Sequence, residues 1–594
     1  MKHSAAATVI ISLSVFVFLC AAQAEQPKRL NNLVTELARE SGIALNPDAT
    51  VRFTHPREGW VHVRIETDAA EGATLEVSTA AGDVLASHAH PEGMRFLPAG
   101  ECVLKIHGNG VSSLRSIVVR AVPELQFTGI QTAPFMEGHG PYDWAFLEAN
   151  ILPNVNTVVG PAEDEHIDAW TARGGKWVVG TGLPTKPDRP VTPEEAFQHW
   201  ASNAGIADPR LTGIMVDEFH GRQNANYPAW IEAVRRLGDT EAFSRQHKIF
   251  YAYCGGPGLY SRPQSRDLVR SVLGIGSYMA WERYLHEMPT HEEARAFLDA
   301  QLGGEMRRWQ ETFPDIERRL VMVAPIFTLG LSMNLQPEVD YKAWLDMQIQ
   351  YYATDPAFDG LFGLQYWTAT YADEELLRWA YRLFRHYGIE GNTALLSDQY
   401  GYTYALDHIS NPDFADGLAG WTVEPAAEGS VGTGYIERLA NLEGRYWLRQ
   451  GTPDEPAGNT FLLLTRNGGK PNRVSQEIRN LKPGNLYSAK LISADYGDIS
   501  AEISEEKRLD VSIAVEGADP IPEKCYQSAI DSRMSVATAD LFDGGKLAWF
   551  NHHRAVFRAT APTAKLVISD GSLDQPATRQ VLCNFVEVQP YFEN

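Results

Sequence analysis

The chain has 594 residues, 44% hydrophobic and 21% charged, with a formal charge of -23. That length allows roughly three to six domains, or fewer if one is a large barrel, and the composition excludes a wholly disordered or fibrous chain. No Lys/Arg stripe offsets the negative charge, so nucleic acid and anionic membranes are not expected partners.

Lys2 and His3 precede an apolar run from Ala5 to Leu19, and Ala22-Gln23-Ala24 supplies the small side chains a signal peptidase needs. Residues 1–24 therefore read as a secretory signal peptide cleaved after Ala24, which predicts a secreted or periplasmic protein. A lipoprotein signal at Cys20 would need a small residue where Leu19 stands. No later stretch approaches the roughly 20 apolar residues of a membrane span, so stable insertion is not expected. Cys102, Cys254, Cys525 and Cys583 show no metal-site spacing, but Cys525 and Cys583 share the C-terminal region and could form a disulfide.

In residues 25–125, a helical pattern over 30–41 gives way to short alternating segments such as 60–66, 74–78 and 102–106. Gly- and Asp-rich turns between them predict a small β-sandwich with a packing or accessory role. Over residues 126–400 the rhythm becomes strand then helix. Eight strands are expected at 127–130, 157–160, 176–180, 211–216, 249–253, 275–281, 320–324 and 361–367. Helical periods at 163–173, 193–204, 225–237, 291–309, 340–353 and 373–386 complete a (β/α)8 TIM barrel. A doubly wound sheet is the rival, but the first strand-helix turn, 131–141, has no G-x-G-x-x-G fingerprint. After a linker at 401–410, short strands at 434–439, 445–449, 460–465, 474–478, 486–492, 509–514, 555–558, 565–568 and 584–588 predict a second β-sandwich over 411–594.

In such a barrel the chemistry sits at the C-terminal ends of the strands. The fourth strand runs into Asp217-Glu218-Phe219-His220, and the sixth ends in Trp281-Glu282-Arg283-Tyr284. Period two puts Ile214, Val216 and Glu218 on one side and Gly213, Met215 and Asp217 on the other, so only one acid faces the barrel. The longer Glu218 is the expected proton donor and Glu282 the second carboxylate, with Asp217 orienting groups or replacing either glutamate if the register disfavours it. Two carboxylates suit glycosidic cleavage, because one protonates a poor leaving group while the other attacks the anomeric carbon or activates water. Separation near 5–5.5 Å would favour retention, with Glu218 as acid/base and Glu282 as nucleophile, and roughly 6.5–9.5 Å would favour inversion. Glu137, His139, His220, Tyr253, Trp281, Tyr284, Gln365, Tyr366 and Trp367 are the expected substrate-binding residues. The expected substrate is a neutral oligo- or polysaccharide, since strand ends rich in Asp and Glu would repel an acidic sugar and disfavour a lyase.

No cofactor or metal is expected, because no H-E-x-x-H or clustered Cys/His signature is present. Asp217, Glu218 and His220, with His139 or His286, still leave a metal-dependent polysaccharide hydrolase or deacetylase as one alternative. A noncatalytic secreted carbohydrate-binding or adhesive scaffold is another. No G-x-S-x-G elbow supports an esterase, and Cys254-Gly255-Gly256-Pro257-Gly258 lacks the lysine of a phosphate loop.

The stretches Asn411-Pro412-Asp413-Phe414-Ala415-Asp416-Gly417-Leu418-Ala419-Gly420-Trp421, Gln476-Glu477-Ile478-Arg479-Asn480-Leu481-Lys482-Pro483-Gly484 and Asn584-Phe585-Val586-Glu587-Val588 resemble the jelly-roll carbohydrate-binding modules attached to secreted glycosidases. The resemblance covers residues 408–594 and implies a fold rather than a ligand. Phe414 and Trp421 are expected inside it, and Tyr446, Trp447 and Trp549 could form a sugar platform. Residues 126–390 resemble secreted glycoside-hydrolase barrels in general architecture. Asp217-Glu218 is similar to the Asn-Glu ending of one large retaining clan, but Asp217 replaces its Asn. That clan places its nucleophile at strand seven, which here ends in Ala324-Pro325-Ile326-Phe327-Thr328. The departure blocks transfer of that mechanism and leaves the family unassigned.

Overall fold

The computed structural model describes residues 27–593 apart from 46–47, 69–72, 110, 112, 131–133, 141, 221–223, 256–258, 330, 446–447, 449–457, 533–545 and 572–578. The signal peptide expected over residues 1–24, with its cleavage site, lies outside the described residues.

The first unit is a β-sandwich. One sheet orders Lys28–Arg29, Thr35–Ala44, Ser113–Val122, Gly59–Glu66 and Glu92–Leu97, and the other orders Asp48–His55, Gly100–Asn109, Thr74–Thr79 and Val84–Ser87. The helix expected over 30–41 is instead the strand Thr35–Ala44, paired antiparallel with Ser113–Val122. Local helical spacing loses here to distant pairing and to burial of Leu37 in the sandwich core. Just before it, Asn31 Nδ2 donates to the carbonyls of Tyr387 and Asn392, and Asn32 Nδ2 to those of Tyr352 and Asp355, tying this unit to the next.

Eight parallel strands then close a barrel: β1 Glu124–Thr128, β2 Thr157–Gly160, β3 Lys176–Thr181, β4 Gly213–His220, β5 Ile249–Gly255, β6 Tyr278–Glu282, β7 Leu320–Pro325 and β8 Gly363–Trp367. Alternation sorts their side chains. Val159, Val178, Met215, Tyr251, Tyr253, Ala280 and Val323 fill the interior, whereas Val158, Trp177, Ile214, Val216, Phe250, Trp281 and Tyr366 pack outward against the helices. At the N-terminal end Glu124 accepts from Lys176 Nζ at 2.9 Å, Tyr251 OH at 2.5 Å and Gln126 Nε2 at 2.7 Å. Lys176 also lies 4.2 Å over the ring of Phe96, so the first sandwich caps this end.

The C-terminal unit is a second sandwich. One sheet orders Thr422–Glu424, Arg473–Ile478, Ala564–Ser569 and Ser512–Glu516. The other orders Val431–Tyr435, Thr460–Thr465, Gln580–Pro590, Leu486–Asp495 and Trp549–Ala559, with Ala518–Pro520 and Tyr526–Asp531 both paired to the last strand. Phe414 and Trp421 are buried and stacked at 5.0 Å. Tyr446 and Trp447 lie outside the described residues, as does most of the strand expected at 445–449.

This sandwich is welded to the barrel. Arg554 Nη1 donates to Asp373 at 3.0 Å and Lys342 Nζ to Gln589 at 2.9 Å, while Phe592 packs against Trp379 and Tyr400. The expected Cys525-Cys583 disulfide is absent, and both are free thiols. Cys583 lies opposite Ser493, Ser493 opposite Asn551, and Cys525 just before the next strand over, whose Tyr526 pairs with Arg554. Three strand spacings of about 4.8 Å exceed the roughly 4.4–6.8 Å between the Cα atoms of a disulfide. No helix among the described residues is long and apolar enough to cross a membrane.

Candidate active site

The mouth of the barrel is shaped by an irregularity in β4. Its register with β5 runs through Val216 opposite Ala252 and resumes at Phe219 opposite Cys254, so Asp217 and Glu218 together face Tyr253. This is a β-bulge, with Glu218 in the left-handed region at φ 71°. The extra residue returns Phe219 to the outer layer, where it meets Trp200, Trp230 and Phe250. Asp217 follows Met215 into the barrel and is half-buried, whereas Glu218 turns out to the rim and is exposed. The barrel-facing acid of β4 is therefore Asp217, which shares the interior side with Met215 as alternation requires, and not Glu218, which side-chain reach favours.

Glu282 ends β6 on the interior parity of Tyr278 and Ala280. Tyr284 OH donates to its Oε1 at 2.6 Å. Its Oε2 and the Nδ1 of His220 lie 3.2 Å and 3.8 Å from the point a Cβ on Gly255 would occupy, so the absence of a side chain lets β4 and β6 converge there. Burial pushes the Glu282 carboxyl up to about 7, opposed by the Tyr284 hydrogen bond and reinforced by the charges of Asp217 and Glu218. Asp217 is also raised, by burial and then by Glu218.

Tyr253 is buried, and its hydroxyl donates to Gln365 Oε1, whose Nε2 in turn donates to Thr128 Oγ1. The ring of Tyr253 sits 5.4 Å from Trp367. Tyr253, Trp367, Thr128, Met215, Gly180 and Asp217 line an inner cavity of about 410 Å³. An outer cavity of about 540 Å³ is lined by Asp217, Glu218, His220, Thr185, Asn224 and Trp230, and Gly182 borders both.

Several expected binding residues lie elsewhere. Trp281 is fully buried in the helix layer, 5.8 Å from Trp309, and Tyr366 stacks on Phe384 at 4.7 Å. The alternation that turns Glu282 and Gln365 inward turns these neighbours outward. His139 is buried at the seam with the C-terminal sandwich, 5.9 Å from Tyr526, where burial lowers it to about 3. Glu137 is exposed on the turn Glu137–His139, away from the strand ends, and neither it nor Glu282, Tyr284 or Gln365 is among the residues that line the two cavities. Thr128, Met215, Gly180 and Gly182 escaped the sequence reading, although Gly180-Thr181-Gly182 ends a strand where small residues leave room. Among the described residues no group of three or more His, Cys, Asp and Glu side chains is placed to hold a metal ion.

Neither a family model nor a curated protein sequence matches the chain. Among solved structures it is similar to a cycloisomaltooligosaccharide glucanotransferase from Paenibacillus sp., at 9% identity over 93% of this chain and 72% of that one, with a TM-score of 0.35. An endo-β-N-acetylglucosaminidase from Cordyceps militaris shares 12% identity over 44% of this chain and 90% of its own, with a TM-score of 0.31. Active domain 2 of a Pyrococcus furiosus chitinase shares 14% over 48% and 98%, with a TM-score of 0.29. These likenesses are partial, and the fold stands on the strand ladder itself.

Proposed function

We propose that the barrel is a glycoside hydrolase acting on a neutral oligo- or polysaccharide, with Glu282 and Asp217 as its paired carboxylates. The observation that carries this reading is geometric: the bulge of β4 turns Asp217 into the barrel mouth, where β6 ends in Glu282, half-buried and pushed up to about 7 by burial and by the charges of Asp217 and Glu218. Such a group can protonate a departing alkoxide, and Tyr284 fixes its other oxygen. Asp217, on the wall of both cavities, takes the second role, attacking the anomeric carbon or activating water. Glu218, at the rim, orients hydroxyls of the leaving group. The leader-like residues 1–24 support export of the enzyme.

The test is a screen of the mature protein against neutral oligosaccharides, with and without chelator, followed by Glu282→Gln, Asp217→Asn and Glu218→Gln with folding checked by circular dichroism. Glu282→Gln and Asp217→Asn should each lose about 10²–10⁴-fold in kcat, with Glu218→Gln losing less. Wild-type turnover in both folded variants would sink the assignment, and loss in chelator alone would favour the metal-dependent alternative.

A further inference from the structure

The two cavities meet at Asp217 and Gly182. Their glycines fall into two kinds. A Cβ on Gly160 would strike Trp177 at 2.9 Å and Ile130 at 3.2 Å, and Gly129 has φ 134° with Ala369 at 2.7 Å, so packing and backbone account for both. Gly180 and Gly182 differ, because a Cβ on either would meet nothing within 4 Å and neither has a positive φ. Nothing in the fold requires glycine at these two positions. What their missing side chains leave is the open volume of the cavities.

Resting on the hydrolase reading above, we propose that the cavities are the two halves of one substrate cleft, with the scissile bond lying over Asp217. The inner half seats one uncharged sugar ring, and Gly180 and Gly182 set the room for it. Its lining combines glycines and aliphatic side chains such as Val159 and Met215 with Tyr253 and Trp367, and Asp217 joins the threonines as a polar residue. The half-buried Trp367 ring suits the apolar face of a pyranose, with the fully buried Tyr253 backing it, and among the described residues Asp217 is the one charged residue lining this half. The outer half holds Glu218, His220, Asn224 and Thr185 and takes the leaving group. With two acids and no Lys or Arg among the described residues of its wall, it favours a leaving group bearing hydroxyls or an amine and disfavours one bearing carboxylate or sulfate.

The inference is tested in the full chain with a neutral oligosaccharide substrate and the 4-nitrophenyl glycoside of the same sugar. Gly180→Leu should fold with an unchanged Tm and lose at least about 100-fold in kcat/KM on both substrates, with Gly180→Ala intermediate. Thr185→Trp, which narrows the outer half, should lower kcat/KM for the oligosaccharide more than for the nitrophenyl glycoside. Folded Gly180→Leu turning over both substrates at the wild-type rate would overturn the proposal. Full activity in Glu282→Gln would instead overturn the hydrolase reading and leave the Gly180→Leu result to decide the cleft. If the wild type cleaves no glycoside, calorimetric binding of neutral oligosaccharides decides. Binding abolished by Gly180→Leu supports the cleft, and equal binding in both proteins, or none in either, overturns it.

Discussion

Each end of the barrel holds a glutamate shielded from water, Glu124 fully buried and Glu282 half-buried, and the two ends treat it in opposite ways. Burial raises the pKa of Glu124, but Lys176 and hydrogen bonds from Tyr251 and Gln126 outweigh that and hold it below its ordinary value. Among the described residues Tyr284 is the one side-chain donor to Glu282, which burial and the charges of Asp217 and Glu218 push up to about 7. Depth alone does not decide ionisation; the partners do. The cation and donors around Glu124 keep it charged, whereas the like charges around Glu282 favour its proton.

The sharpest way to break this contrast is to make the closed end resemble the mouth. Lys176→Met strands the Glu124 carboxylate and should cost about 3–5 kcal/mol in urea unfolding, with most of it recovered by adding Glu124→Gln. A cost below about 1 kcal/mol would show that the closed end is not held by this charge pair. At the mouth the effect is smaller and of opposite sign. Glu282 titrates near 7 when folded against an ordinary 4.5, so the folded state holds the extra proton between those values. Stability therefore falls as pH rises through that window, and the penalty stays constant above it. Glu282→Gln removes the penalty and should stabilise the protein by about 3 kcal/mol at pH 8 and by nothing at pH 4. Equal effects at both values would mean that the carboxyl is not held protonated. The mildest change is Tyr284→Phe. It removes the bond that lowers the Glu282 pKa, so the alkaline fall in turnover, near pH 7 in the wild type, should move upward while stability drops by about 1 kcal/mol.

The barrel was legible in the sequence because each strand is a short apolar run and strands and helices alternate along the chain. Thr35–Ala44 was not, since its own residues suit a helix and its strand partner, Ser113–Val122, lies about seventy residues away in the chain. At the site, Glu282, Tyr253, Gln365 and Trp367 follow from strand ends and period two. The same rule, carried one residue further, would have sent Trp281 and Tyr366 into the helix layer. The bulge at Asp217 and Glu218 leaves no mark on the sequence, because a left-handed glutamate is set by how Phe219 packs in three dimensions. His139 was misplaced for a similar reason, as its neighbour Tyr526 comes from a domain read as separate.

That bulge has a consequence for how the protein can change. By absorbing one residue of slack, β4 keeps Phe219 clamped among Trp200, Trp230 and Phe250 for any residue at position 217 and for those that accept a left-handed backbone at position 218. The two positions that meet the cavities are thus uncoupled from the core that carries the fold. New side chains can be tried there, by selection or by design, without repacking the barrel around them.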